Sequence, residues 1–246
     1  MSGIRHYVKS RLATTQFGLE IGASYSPIAP RREGFNVRIV DHADADELRL
    51  KYASQGMPTS AIEDVDAIDD GGEFTALLEP GADGFDYIIA SHVFEHLPNP
   101  IAFLQRCGRA LSDDGVLYLL LPDRRHTFDY LRPTSTMGQM VDAFIEGRER
   151  HSIGTLVDHM AMTATRGNVF SWRHDEPTPL NFTAGIDADT IASLRAASGE
   201  YIDCHAWIFT PSSARLLIAD LRTAGLSPLH EIECRQDEPN EFLLVL

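Results

Sequence analysis

Residues 17–28 carry the first pattern with chemistry in it. Phe17, Leu19 and Ile21 form a short apolar run around the acid Glu20, and the run breaks into Gly22, Ala23, Ser24 and Ser26. Small residues at such a point let the backbone turn sharply and let a ligand approach the main chain. Nineteen positions after Gly22, Asp41 closes the β-branched run NVRIV. An acid about twenty residues beyond a glycine turn, at the end of the next strand, can accept from both hydroxyls of a ribose. Its other reading is a loop aspartate capping the next helix. Only Gly22 of the pattern G-x-G-x-x-G is present, which disfavours a hydride-transfer cofactor.

A second group of candidates follows the run FDYIIAS at 85–91. His92 stands at its end, where a base could take the proton of an alcohol. Its alternative is a histidine hydrogen-bonded to the fold. His96, one residue after Glu95, reads as structural. Beyond Pro122, the residues Asp123, Arg124, His126 and Asp129 cluster. Arginines and carboxylates together suit a polar acceptor such as a sugar or its phosphate. Asp158–His159 and His174–Asp175 could pair a base with an orienting carboxylate, although sequence neighbours seldom face one another. His205 and Trp207 either line the same pocket or pack the chain there. No ligand spacing demands a divalent ion, so no metal is expected. Met137, Met140, Met160 and Met162 read as packing.

These residues need strands and helices to hold them. Strands are expected at 17–21, 36–40, near 61–68, at 85–91 and at 116–122, with helices at 44–55 and 100–111. Near-continuous apolar strands alternating with helices mark a parallel sheet covered on both faces. Asp66, Asp69 and Asp70 lie within or after the third strand. One of them could accept from an adenine amino group, or all three could form a solvated loop. From 123 to 210 the alternation stops, apart from helical stretches near 136–149 and 187–197. This segment reads as an insert over the carboxyl edge of the sheet, a lid and substrate pocket. The core resumes with a helix at 210–226, capped by Thr210 or Ser212, and an antiparallel pair at about 228–235 and 241–246. Residues 1–16 read as a helical or irregular lead-in without chemistry.

The chain has 246 residues, 43% of them hydrophobic, which suffices for one large α/β domain or a core with an insert. Its formal charge of −15 would repel phosphate backbones, so nucleic acid is not an expected partner. Cys107, Cys204 and Cys234 form no C-x-x-C pair and suggest a reducing compartment without structural zinc. The start lacks a secretory h-region, and no run reaches the roughly 18 apolar residues of a membrane span. A cytoplasmic protein that does not engage a membrane is therefore expected.

EIGAS after the first strand, VDH after the second, FDYIIASHVFEHLPNP and DGVLYLLLPD together resemble the class I S-adenosylmethionine-dependent methyltransferases. The resemblance covers 17–122 and, through the closing helix and hairpin, 210–246. It departs from the usual glycine-rich turn by carrying Ser24 and Ser26 at later glycine positions. It implies a Rossmann-like, seven-stranded, mostly parallel α/β sheet with helices on both faces. The core would be 1–122 and 211–246, and 123–210 the insert. S-adenosyl-L-methionine is the implied cofactor. Glu20, Gly22, Ala23 and Ser24 would shape the methionine end of its pocket, Asp41 would hold the ribose and Asp70 would lie near the adenine. Ser91 and His92 would face the sulfonium, with His92 and His126 as catalytic candidates. The implied reaction is O-methylation of a small molecule or saccharide. LPDRRHTFDYLRPTS and CHAWIFTPSS are similar to bacterial members found with sugar-assembly enzymes. The alternatives are N- or C-methylation, or a non-catalytic scaffold that keeps the fold. Assembly of identical chains is left open.

Overall fold

The computed structural model describes residues 3–173, 178–182, 185–197 and 199–246. Five parallel strands come first in the chain: β1 (Phe17–Ile21), β2 (Asn36–Asp41), β3 (Ala67–Ile68), β4 (Phe85–Ser91) and β5 (Leu111–Pro122). β6 (Ala164–Arg166) and β7 (Leu180–Phe182) pair separately in a small antiparallel hairpin. β8 (Glu233–Glu238) and β9 (Glu241–Val245) close the main sheet. Its order is β3-β2-β1-β4-β5-β9-β8, with β9 antiparallel to both β5 and β8. The order reverses between β1 and β4, and an open α/β sheet binds ligands beyond the carboxyl ends of its strands at such a point.

Side chains alternate across this sheet as a period of two requires. Leu19, Ile21, Ile88, Ala90, Leu117 and Leu119 enter one core. α3 (Pro100–Ala110) and α7 (Pro211–Thr223) cover that face with Phe103, Leu104, Leu217 and Leu221. Tyr87, Ile89, Tyr118, Leu120 and Leu243 point the other way, onto Ile4 and Val8 of α1 (Gly3–Arg11). The lead-in is thus a helix whose buried stripe closes the second face. α2 (Ala45–Ser54) is capped by Asp44, whose carboxylate accepts from the Asp46 and Glu47 amides.

The third strand is shorter than expected. The Asp66 side chain accepts from the Ile39 amide at 2.7 Å, so a side chain replaces a ladder bond just before β3. β5 starts earlier than expected, because Asp113–Gly115 form an irregularity inside it. Phe85 pairs with Leu111 but Tyr87 with Val116. β8 runs to Glu238, which narrows the expected turn at 236–240. In the segment after β5, α4 (Met137–Ile145) and α6 (Ala188–Ala196) stand where helical stretches were expected. α5 (Ile153–Ala161) and the β6–β7 hairpin were not expected. Thr210 and Ser213 form a reciprocal cap that starts α7, with Pro211 in its first turn.

Candidate cofactor and acceptor site

The turn after β1 lies at the carboxyl edge. Gly22 has a φ of +68°, and a Cβ there would stand 2.5 Å from Val93 Cγ2. Only glycine meets both demands at low cost. The Gly22 amide donates to the Val40 carbonyl at 2.8 Å, which extends the β1–β2 pairing into the turn. Ala23 is buried, and its carbonyl accepts from the Ser26 amide. Ser24 has a φ of +48°, a left-handed value uncommon outside glycine.

Asp41 fixes that conformation. Its Oδ2 accepts from the Ser24 amide at 2.9 Å and the Ser24 hydroxyl at 3.3 Å. Its Oδ1 accepts from the His42 amide at 2.8 Å and lies 2.7 Å from His42 Nδ1. Burial disfavours the charge, yet the bonds from His42 and Ser24 outweigh it and hold the carboxyl below its ordinary range. Asp41 is therefore an ionised, buried acceptor at the strand end, and Asp44 rather than Asp41 caps the next helix. Tyr52 donates to the Ser24 hydroxyl at 3.0 Å, and its ring meets Tyr25 edge-on.

Glu20 faces the other side of β1. Its oxygens accept from the Ile28 and Ala29 amides at 2.6 and 2.9 Å, which ties the returning loop to the strand. Burial outweighs those bonds and raises its pKa. The Ser91 hydroxyl accepts from Arg5 of α1 at 2.8 Å, and the same guanidinium reaches the Ser26 carbonyl. Arg5 thus joins the end of β4 to the loop after β1, a cation that the sequence reading passed over in the lead-in. Asp70 is exposed and accepts from the Gly72 amide within its own turn. Asp69 comes nearer to Asp41. Its amide donates to the Asp41 carbonyl, while its carboxylate pairs with Arg106 at 2.7 Å.

His92 has a φ of +53°, and its ring bridges two carboxylates. Nδ1 lies 3.2 Å from Glu95 Oε1, and Nε2 lies 3.2 Å from Glu241 Oε2 on β9. Burial disfavours the cation, but the bonds to Glu241 and Glu95 outweigh it and raise the pKa to about 9. The ring keeps 40% of its surface, and the carboxylate at each nitrogen decides its charge. An imidazolium that donates from both nitrogens has no lone pair with which to take a proton. Glu95 and Glu241 are the acids that sequence reading missed. An acid within VFEHL and another opening EFLLVL were the available signals.

His126 lies in a 3₁₀ turn after β5, with its carbonyl bound to the Trp172 amide and its Nδ1 buried without a hydrogen-bond partner among the described residues. The neighbours expected to bind an acceptor are engaged within the chain. Asp123 pairs with Arg125, and Arg124 donates to the Tyr130 carbonyl. Asp129 is buried against Arg132 and His205. Asp158 and His159 diverge, Asp158 into a cavity and His159 onto the Phe128 ring. His174 and Asp175 lie outside the described residues. Met140 is buried in the main core and Met137 packs against it, whereas Met160 is exposed. Sequence spacing suggested no metal ligands, but the fold brings Glu95, His96 and His205 within 4.8 Å of one another.

A cavity of about 270 Å³ opens between α4, α5 and residues 206–207. Gln139, Asp142, Arg148, His151, Asp158 and Trp207 line it. It belongs to the segment after β5, not to the turn at Gly22. Burial lowers the His151 pKa to about 4, and its Nε2 is buried without a hydrogen-bond partner among the described residues. The Trp207 indole donates to the Leu97 carbonyl at 2.6 Å, which anchors this wall to the turn after β4.

A family model described as a methyltransferase domain matches residues 14–174, more than half of the chain. The chain belongs to the class I S-adenosylmethionine-dependent methyltransferases. The fold agrees with that membership. The CcbJ methyltransferase from Streptomyces caelestis is 14% identical, with 98% of this chain and 92% of that one aligned at a TM-score of 0.50. The PH0226 protein from Pyrococcus horikoshii OT3 is 12% identical over 98% and 86% of the two chains, with a TM-score of 0.47. A SAM dependent methyltransferase from Aquifex aeolicus is 9% identical over 98% and 87%, with a TM-score of 0.46. At such identities the likeness to CcbJ is one of fold alone, and the two lower scores add nothing to it. No curated protein matches the sequence. Among the described residues, no helix is long and apolar enough to cross a membrane.

Proposed function

We propose that the chain transfers the methyl group of S-adenosylmethionine to an oxygen of a small polar acceptor, a saccharide or similar polyol. The observation that carries this reading is the left-handed turn at Gly22–Ser24, closed onto the buried, ionised Asp41. Two of the four donors on Asp41 can leave. The Ser24 hydroxyl contact is long at 3.3 Å, and the His42 side chain is 50% exposed. Their departure frees one acceptor site on each oxygen for a ribose hydroxyl, while the Ser24 and His42 amides keep the carboxylate in place. Arg5, between Ser26 and Ser91, suits a carboxylate such as that of a bound amino acid. Asp70 lies beside the same edge and is assigned the adenine, after release of its bond to Gly72.

The cofactor supplies an activated methyl group, so the protein mainly orients and desolvates the partners. Glu95 and Glu241 flank the His92 ring and hold it in place at the end of β4. His92 is then a positioning residue. The polar cavity behind Trp207 is the acceptor pocket, slightly below the usual size of small-ligand sites, about 300–1,000 Å³. Gln139, Asp142 and Asp158 offer hydrogen bonds to hydroxyls there. His126 is kept as a base candidate on the strength of its unpartnered Nδ1. We place the protein in the cytoplasm, with no nucleic-acid partner.

Calorimetry of the full chain with S-adenosylmethionine tests this reading. It expects one site per chain and a mass gain of one methyl group on a saccharide or polyol acceptor. Methyl gain on nitrogen or carbon would shift the assignment of the acceptor atom. No binding at millimolar cofactor would leave the scaffold reading in its place.

A further inference from the structure

Three side chains converge from two distant segments beside the cofactor edge. Glu95 and His96 belong to the 3₁₀ turn Phe94–His96 after β4, and His205 belongs to the extended stretch before α7. A carboxylate oxygen of Glu95 and one ring nitrogen from each histidine lie within 4.8 Å of one another. The two segments are stitched together by backbone. The Ala206 and Trp207 amides both donate to the Glu95 carbonyl, at 2.7 and 3.1 Å.

Each imidazole is held from behind by its own carboxylate. His96 Nδ1 lies 2.8 Å from Asp203, and His205 Nδ1 lies 2.5 Å from Asp129. His96 Nε2 lies 4.0 Å from Glu95 Oε1, and among the described residues neither ring's Nε2 makes a hydrogen bond. A carboxylate behind the imidazole is the support that metal-binding histidines use to fix tautomer and ring direction. Glu95 is wholly buried. Its Oε1 is engaged by His92, but its Oε2 has no hydrogen-bond partner among the described residues. A desolvated carboxylate oxygen without a donor is costly, and a cation supplies what the protein does not.

We propose that Glu95, His96 and His205 bind one divalent transition-metal ion, with Asp203 and Asp129 as outer supports. Two imidazoles and a carboxylate suit zinc and its first-row neighbours better than magnesium or calcium, which prefer all-oxygen sites. Three protein ligands leave a coordination position open. The ion would pin the segment carrying His205 to the end of β4. This holds whether or not the cofactor reading is right.

The test uses the full chain, freed of metal by chelator and titrated with zinc chloride, then with cobalt(II) as a visible probe. One ion per chain is expected, with a rise in Tm on binding. Cobalt should give visible bands of a nitrogen–oxygen site without a near-ultraviolet thiolate band from Cys204. His205→Ala and Glu95→Gln should each weaken binding by about 100-fold, and Asp203→Asn by about tenfold. His230→Ala, on an exposed loop, should change nothing. The proposal fails if the wild type binds no ion. It fails equally if affinity survives in both His205→Ala and Glu95→Gln, or if cobalt shows a thiolate band. Should those two variants not fold, the stoichiometry, the Tm rise and the wild-type cobalt spectrum decide alone.

Discussion

Asp41 and Glu95 are both buried carboxylates at the carboxyl edge of one sheet, and they are solvated by protein in opposite ways. Asp41 accepts from four donors, all supplied by Ser24 and His42. Among the described residues Glu95 has a single hydrogen-bond donor, the His92 ring, and one bare oxygen. A carboxylate with a full set of donors is pre-organised, and a ligand reaches it by replacing donors that already satisfy it. A carboxylate with an unmet acceptor is a demand on something from outside. In the reading proposed above, two buried acids on one edge have two uses, one for neutral hydroxyls and one for a cation.

The largest expected effect breaks the first half of that contrast. Asp41→Ala removes both acceptors, and hydrogen bonds to charged groups contribute about 1.5–3 kcal/mol each, so cofactor affinity should fall about 100-fold or more. Asp41→Asn keeps one acceptor and should lose less. Unchanged affinity by calorimetry would remove the ribose assignment. His92→Ala comes next and breaks the second half. It leaves Glu95 without its donor. Opening a fully buried pair costs about 3–5 kcal/mol, and the exposed edge of this ring lowers the expected loss to about 2 kcal/mol in urea unfolding. A drop in kcat with stability unchanged would instead make His92 the base.

The same contrast explains what could be read from the sequence. Gly22, Ser24 and Asp41 are linked by adjacent parallel strands, so their distance along the chain is set by one β–crossover–β unit and their proximity was legible. The apolar runs of β1, β2, β4 and β5 were legible for the same local reason. Glu95 and His205 are 110 positions apart, and only the return of the chain before α7 joins them. No spacing rule reports such a contact. His92 stood at the expected place, but its charge depends on Glu241, 149 residues away. Arg5 escaped notice because a mixed lead-in carries no strand pattern, while its buried stripe of Ile4 and Val8 is one helical turn long.

Arg5 sharpens the picture of the cofactor edge at a smaller scale. Arg5→Ala removes a cation from the flank of the turn without touching Asp41. KM for the cofactor should rise about tenfold, close to 1.4 kcal/mol, with kcat unchanged. Arg5→Lys should recover part of the loss, because the charge remains while the forked contact to Ser26 and Ser91 does not. Equal losses in kcat would mean that Arg5 acts in the transition state instead.

The smallest effect separates Asp41 from Glu20, which leaves the other face of β1. The folded pKa of Asp41 is lowered and that of Glu20 is raised, so their contributions to stability run in opposite directions with pH. For Asp41, the stabilisation is complete above its unfolded value, about 3.9, and is lost as pH falls through the lower folded value. For Glu20, stabilisation is complete below its unfolded value, about 4.3, and is lost as pH rises through the higher folded value. Denaturant unfolding between neutral pH and acid should therefore show two trends. The deficit of Asp41→Asn against wild type should shrink on acidification, whereas any advantage of wild type over Glu20→Gln should grow. Parallel curves for the two variants would mean that amides serve the turn as well as carboxylates. The donors around Asp41 would then have no bearing on its charge.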